Sequence, residues 1–211
     1  MNGEFGGGKM SKSLEFLHLA EKLKDVLRHG WTSSGRQEST AEHSWRVSLM
    51  VILFHSYLEK PVSLEKALQM AVIHDLCETI TGDVPFFDAL EGSVEKEQKH
   101  IREQASMESI RKLLGGNIGQ RVHLLWEEYH AGESEEAKFV RALDKLEAQI
   151  QQNEADISTW NEFEKLSIFT YLDKFCNYDG FIKSLKEEVQ EESCTKLARA
   201  DSMNLRKAKT C

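Results

Sequence analysis

Four side chains that can bind a metal ion or transfer a proton occur within ten residues of the sequence. His74, Asp75, Glu78 and Asp83 place one imidazole and three carboxylates between positions 74 and 83. The first three continue the i, i+3, i+4 spacing of the apolar positions 67, 70 and 71, so they share the inward face of a predicted helix. Because burying an unpaired carboxylate is very costly, these groups must find a charge partner or a metal, or stay protonated. A helix end that emerges into solvent would show the same residues without a site.

Two further predicted helices direct a histidine or an aspartate inward. Ser39 or Thr40 can cap a helix that runs to about residue 58, and His43 lies on its apolar stripe. Ser134 can cap another helix, in which Asp144 falls on the inward stripe. Two imidazoles and two carboxylates would therefore meet from three helices. This mixed nitrogen and oxygen donor set suits Mn, Fe, Co, Ni or Zn better than Ca.

The order of these residues, His43, then His74-Asp75, then Asp144, resembles the H…HD…D signature of the HD-domain metal-dependent phosphohydrolases. Flanking residues resemble the 5′-deoxynucleotidase (YfbR-like) branch of that superfamily. They are Ala41-Glu42 before the first histidine, Glu78 with Gly82-Asp83 after the HD pair, and the segment 137–145 around the last aspartate. The likeness covers roughly residues 14 to 155. It implies an all-α fold, a single compact HD-domain helical bundle.

The resemblance assigns roles to the clustered residues. His43, His74, Asp75 and Asp144 would hold one divalent metal ion: Mn, Co, Zn, Fe, Ni or Mg. Glu78 lies one helical turn from His74 and is the best candidate to orient or deprotonate the attacking water. Asp83 would assist with the leaving group or the water.

The branch also carries a basic residue and a tryptophan near the nucleotide, and the matching positions here are Arg28 and Trp31. Arg28 would meet the substrate phosphate, and Trp31 would pack near the sugar or the base. The branch pattern has these residues adjacent, whereas His29-Gly30 separates them here. A core position for Trp31 fits the sequence about as well.

These assignments predict a hydrolase that removes the 5′-phosphate from deoxynucleoside 5′-monophosphates by attack of a metal-activated water. Two alternatives stay open. One is an HD hydrolase of another phosphoester or nucleotide, such as guanosine tetraphosphate; the other is a sensor that binds metal and nucleotide without turnover. The presence of Glu78 and Asp83 argues against the sensor, because a pure binder needs no group that activates water. The branch further implies a homodimer.

Four residues near the pattern stay outside the predicted site. Arg46 fits either a second contact to the phosphate or a surface position, and Glu42 is expected to hold a basic residue or a helix end. His100 and His123 lie between the HD pair and the last aspartate, the interval in which some HD proteins carry histidines for a second metal. We leave both out, because the residues from Glu78 to Asp83 match the single-metal branch.

Composition limits the classes of protein to which this chain can belong. The 211 residues are 40% hydrophobic, enough for one well-buried domain. A net charge of −8, with no basic block before the end of the chain, argues against binding to duplex nucleic acid or to an anionic membrane. We find no apolar run of membrane-spanning length and no signal peptide. The four cysteines show no C-x-x-C spacing, so we expect a cytoplasmic protein with reduced thiols.

The two ends of the chain differ from its middle. Residues 1–10 are rich in glycine, and we expect a disordered segment or a remnant of an expression vector. Residues 11–190 are expected to form the domain, and residues 191–211 a polar tail. The near absence of alternating apolar and polar residues predicts helices, with residues 28–32 in a loop and residues 84–88 as a wall of the pocket.

Overall fold

Helices form most of the chain. The computed structural model describes residues 7–83, 94–168 and 170–208. In chain order the elements are α1 (Gly7–Ala20), β1 (Leu27–Trp31), β2 (Gln37–Ser39), α2 (Thr40–Phe54), α3 (Leu64–Ile73), α4 (Glu78–Thr81), α5 (Val94–Leu114), α6 (Gly116–Ala131), α7 (Glu135–Glu154), α8 (Glu162–Ser167), α9 (Asp173–Cys176) and α10 (Gly180–Ala208). The predicted all-α class is confirmed. None of the helices in the described ranges combines the length and apolar character that crossing a membrane requires.

Helix α7 lies at the centre of the core and packs against α2, α3, α6 and α10. Its apolar stripe, which includes Phe139, Leu143 and Leu146, is fully buried. Val47 of α2 and Met70 of α3 pack against it. Because polar residues that share this stripe are forced inward with it, α7 carries carboxylates into the centre of the protein.

A second apolar cluster supports the segment that follows α3. Leu76 and Cys77 are buried against Met107 and Ile110 of α5 and against Trp126 of α6. The hydroxyl of Ser106 also donates to the carbonyl oxygen of Cys77 at 2.7 Å. The HD pair at 74–75 is therefore held between the two apolar clusters.

A short antiparallel hairpin occupies the position of the predicted loop, so the loop prediction for residues 28–32 was wrong. β1 pairs with β2 in a register that sets Leu27 opposite Ser39 and Trp31 opposite Gln37, with an irregularity between the two pairs. The side chain of Gln37 also donates to the carbonyl oxygen of Arg28 at 3.3 Å. Polar strands of this kind show no period-two apolar pattern, and their pairing comes from residues about ten positions away.

Several helix boundaries differ from the predicted ones. The helix expected to carry the HD pair ends at Ile73, and residues 74–77 form a turn before α4. Between α7 and α10 the chain forms a 3₁₀ turn, α8 and α9. Helix α1 begins at Gly7 and α10 continues to Ala208. Nε2 of Gln149 on α7 donates to the hydroxyl of Ser193 on α10 at 3.1 Å. The division into a domain and two ends stays a prediction, and the predicted pocket wall at 84–88 lies outside the described residues.

Candidate metal centre and its pocket

His43 is placed by the first turn of α2. Ser39 caps this helix and forms a capping box with Glu42, as the sequence predicts. The ring of His43 is fully buried, and its Nδ1 atom is hydrogen-bonded to Oε2 of Glu147 on α7. Since a carboxylate only accepts, Nδ1 carries a proton, and Nε2 is the ring atom that can bind a metal ion. That Nε2 atom lies 3.2 Å from Oδ1 of Asp144.

The HD pair meets His43 from the end of α3. Nδ1 of His74 donates to the carbonyl oxygen of Ala71 at 2.9 Å, which leaves the lone pair of His74 on Nε2. This Nε2 atom lies 3.4 Å from Nε2 of His43 and 3.1 Å from Oδ2 of Asp75. The backbone turn at residues 74–77 therefore directs both side chains of the pair to the same point.

Asp144 completes the set from α7. Its Oδ2 atom accepts the hydroxyl of Tyr129 at 2.7 Å and pairs with the ammonium of Lys145 at 2.8 Å. Burial alone would raise the pKa of Asp144, but Lys145 and the two histidines hold it well below its usual value. Asp144 is therefore a carboxylate, and its other oxygen is available to a ligand.

These donor atoms fit a divalent metal ion. His43, His74 and Asp144 bring their donors within 4.8 Å of one another, and Oδ2 of Asp75 lies 3.7 Å from Nε2 of His43. The Nε2 atoms of the two imidazoles face each other at 3.4 Å, close enough to bind the same cation. Burial and Arg28 lower the pKa of His43, but Glu147 and Asp144 outweigh them and raise it to about 10, so the site favours a positive charge at Nε2 of His43, either a proton or a metal ion in its place.

Glu78 lies beside this centre in the short helix α4. Its side chain is buried, and Oε2 accepts the hydroxyl of Thr40 at 2.9 Å. Burial, followed by the charges of Asp75 and Asp83, raises the pKa of Glu78 well above its usual value. A carboxyl group with a raised pKa holds a proton more readily than an exposed one, which suits a group that transfers protons.

Arg28 reaches the centre from β1. Its Nη1 atom lies 3.4 Å from Oδ2 of Asp75, and its Nε atom lies 3.7 Å from Oε2 of Glu38 on β2. Trp31, at the other end of β1, accepts a hydrogen bond on its carbonyl oxygen from Gln151 at 2.7 Å. Its side chain is not among those that line the described pocket, so its contact with a substrate stays a prediction.

A cavity of about 810 Å³ opens over the centre, within the usual range for small-molecule sites. Its lining includes the carboxylates of Asp75, Glu78 and Asp83 and three cationic side chains of α7, those of Lys138, Arg141 and Lys145. The aromatic residues Tyr171 and Phe175 also line it, and the ammonium of Lys174 lies 5.0 Å from each ring centroid. The pocket thus combines a metal-type donor set with cations and aromatic surface.

Comparison with known proteins decides the family. The model of the HD domain matches residues 20–177. This chain belongs to the HD-domain family. The human protein named 5′-deoxynucleotidase HDDC2 is 34% identical over 152 residues, which cover 71% of this chain and 71% of that protein. The Schizosaccharomyces pombe protein named 5′-deoxynucleotidase hdd1 is 31% identical over 183 residues, covering 84% and 88% of the two chains.

Solved structures of HD proteins share the fold. A protein from Magnetospirillum magnetotacticum, described as a predicted metal-dependent phosphohydrolase, superposes with a TM-score of 0.73 at 25% identity. The match covers 89% of this chain and 96% of that one. The predicted HD-domain family is therefore confirmed both by sequence and by fold.

The HD pattern did not reveal all the residues that support this centre. Glu147, Tyr129, Lys145 and Glu38 were missed. Only Glu147 left a usable signal, because it lies three positions after Asp144 on the same inward stripe. Tyr129, Lys145 and Glu38 support the centre through contacts with Asp144 or Arg28, and the spacing of residues in the sequence does not reveal such contacts.

The residues kept outside the predicted HD site have other partners. Nε of Arg46 donates to Glu147 at 2.7 Å, and Nη1 of Arg46 donates to Glu154 at 2.7 Å. Glu42 caps α2 and binds Arg36, which confirms its structural role. His123 lies 3.3 Å from Glu127, whereas His100 comes together with Glu103 and His130 in a separate cluster at the pocket wall.

Proposed function

We propose that this HD-domain protein is a metal-dependent 5′-deoxynucleotidase that removes the 5′-phosphate from deoxynucleoside 5′-monophosphates. The observation that carries the proposal is the convergence of His43, His74, Asp75 and Asp144 at the base of a pocket of about 810 Å³. The relatives named 5′-deoxynucleotidase support the choice of substrate. One divalent ion, of the set Mn, Co, Zn, Fe, Ni and Mg, is the proposed cofactor.

Bound to these four donors, a divalent ion would polarise a phosphoryl oxygen and lower the pKa of water. Glu78 accepts a proton from the attacking water, whose oxygen forms a new bond to phosphorus. The bond from phosphorus to the 5′-oxygen breaks, and Asp83 assists protonation of the departing oxygen. Arg28 binds the phosphate dianion from the side of Asp75. The products are a deoxynucleoside and inorganic phosphate.

We also propose a cytoplasmic homodimer. Helix α2 exposes a row of large apolar side chains at Trp45, Leu49, Ile52 and Leu53. A second copy of the same helix would cover such a row through a self-complementary contact. Cys77, Cys176 and Cys194 are free thiols, as expected in a reducing compartment.

Phosphate release from the purified, metal-stripped protein tests the activity. Mn, Co, Zn or Mg is added back, with deoxynucleoside and ribonucleoside 5′-monophosphates, 3′-monophosphates and guanosine tetraphosphate as substrates. Metal-dependent release from the deoxynucleoside 5′-monophosphates supports the proposal. Release from another phosphoester alone would replace the substrate but keep the hydrolase. Nucleotide binding without release, in the presence of bound metal, would instead establish a sensor.

A further inference from the structure

Arg28 and Glu38 face each other across the hairpin. They neighbour Leu27 and Ser39, which are paired across the two strands. The Nε atom of Arg28 lies 3.7 Å from Oε2 of Glu38, and its Nη1 atom lies 3.4 Å from Oδ2 of Asp75. The planar guanidinium group is therefore shared between a buried glutamate and a predicted metal ligand.

Among the described residues, the ion pair of Glu38 is with Arg28. The side chain of Glu38 is only 5% exposed, so an uncompensated charge there would be costly. The other arginine nearby, Arg46, already forms ion pairs with Glu147 and Glu154. His43 is likewise hydrogen-bonded to Glu147, which belongs to the same buried group as Glu38. Arg46 therefore forms its ion pair with Glu147 and Arg28 with Glu38, and of the two arginines only Arg28 lines the pocket.

The geometry leaves one edge of the guanidinium group for a ligand. Among the described residues, no hydrogen bond or ion pair involves Nη2 of Arg28. An arginine carries five N–H donors in a fixed plane, so anchoring Nε determines where the remaining donors point. Without the anchor, the guanidinium group could turn fully towards Asp75 and compete with the metal for that carboxylate.

We propose that Glu38 is a positioning residue that holds Arg28 so that its free edge meets the phosphate of the substrate. The inference rests on the proposed function, because it takes a phosphate dianion as the ligand. Binding of phosphate involves Arg28 in both the ground state and the transition state. The loss of Glu38 should therefore raise KM more than it lowers kcat.

The test is a double-mutant cycle of Glu38→Gln and Arg28→Gln in the Mn-loaded protein. Glu38→Gln should raise KM for a deoxynucleoside 5′-monophosphate roughly tenfold, as expected for loss of a charge-assisted contact, with kcat changed less than about twofold. In the Arg28→Gln background the same change should alter KM less than about twofold. Equal effects in both backgrounds, or a fall in kcat alone, would reduce Glu38 to a structural residue and overturn the proposal.

Two controls accompany the cycle. Glu154→Gln removes a surface partner of Arg46 outside the pocket and should leave KM unchanged. Bound Mn should remain stoichiometric in every variant. If Glu38→Gln does not fold, Glu38→Asp keeps the charge but shortens the side chain, and it should raise KM in the same direction.

Calorimetric binding of inorganic phosphate to the same Mn-loaded proteins separates this inference from the proposed function. The wild-type protein could bind phosphate without hydrolysing any nucleotide. In that case the positioning role is still supported if Glu38→Gln weakens phosphate binding in the wild-type background but has no effect on it in the Arg28→Gln background. Equal phosphate binding by Glu38→Gln and the wild type would refute it. Absence of phosphate binding to the wild type would refute it as well.

Discussion

His43 on α2 and Glu147 on α7 are hydrogen-bonded through Nδ1 and Oε2, although 104 residues separate them in the chain. The other carboxylate oxygen of Glu147 accepts from Nε of Arg46 at 2.7 Å. This chain of contacts orients the ring of His43 and turns its Nε2 atom towards Asp144. Glu147, which does not line the pocket, thus controls how a predicted metal ligand is presented.

Glu147→Ala should weaken metal binding about 10- to 100-fold, because His43 loses the acceptor that orients its ring. Glu147→Gln should have a smaller effect, since its amide oxygen can still accept from Nδ1. Titration of the stripped proteins with Mn, against a competing chelator, measures both. Glu154→Gln serves as the matched control, and metal affinity equal to wild type in Glu147→Ala would contradict the assigned role.

His74→Ala and Glu78→Ala should separate metal binding from catalysis. His74→Ala removes a donor 3.4 Å from His43 and should lose metal and activity together. Glu78→Ala keeps all four donors, so it should retain metal while turnover falls about 10²- to 10⁴-fold, the usual contribution of a general base. Metal content and phosphate release on the same samples decide the matter, and normal turnover by Glu78→Ala would show that the assigned mechanism is wrong.

Stability should fall in acid partly because of His130. Burial, and then the nearby His100, lower the pKa of His130 from 6.5 to about 3. Between these two values the unfolded chain binds a proton that the folded chain does not, so the free energy of unfolding decreases as the pH falls through this window. Above pH 6.5 His130 is neutral in both states and adds no pH dependence.

Urea unfolding between pH 7.5 and 4.5 can isolate this contribution. The wild type should lose more stability over this range than His130→Gln, whose amide does not titrate. His18→Gln, at an exposed position, measures the effect of the amide itself. If the free energy of unfolding depends on pH in the same way for the wild type and His130→Gln, burial does not hold His130 neutral.

The proposed dimer makes a separate prediction about α2. Leu53→Glu places a charge in the exposed apolar row and should convert a dimer into a monomer, because an isologous contact would bring two such charges together. Leu166→Glu changes an equally apolar, 74% exposed position on α8 and should leave the mass unchanged. Light scattering during size-exclusion chromatography gives the mass, and a monomeric wild type would exclude the dimer.

The helical class and the inward positions of the candidate metal donors were predictable because both depend on local spacing. A 3.6-residue period places His43 and Asp144 on inward stripes whatever their partners are. The same period failed at the HD pair itself, where the chain leaves α3 after Ile73 and turns before α4. Hydrogen bonds such as that of His74 to the carbonyl oxygen of Ala71 then direct the side chains, as a continuous helix would not.

The sequence by itself determined which residues can bind a metal and on which faces of which helices they lie. Only the tertiary structure decided that Glu147 orients His43, that Tyr129 and Lys145 hold Asp144, and that a hairpin brings Arg28 to Glu38. The physical reason is the separation along the chain of the residues that interact. Helical periodicity is set by neighbours within one or two turns, whereas these pairings arise when the apolar stripes of α2, α3 and α7 pack together and carry distant polar groups into one buried space.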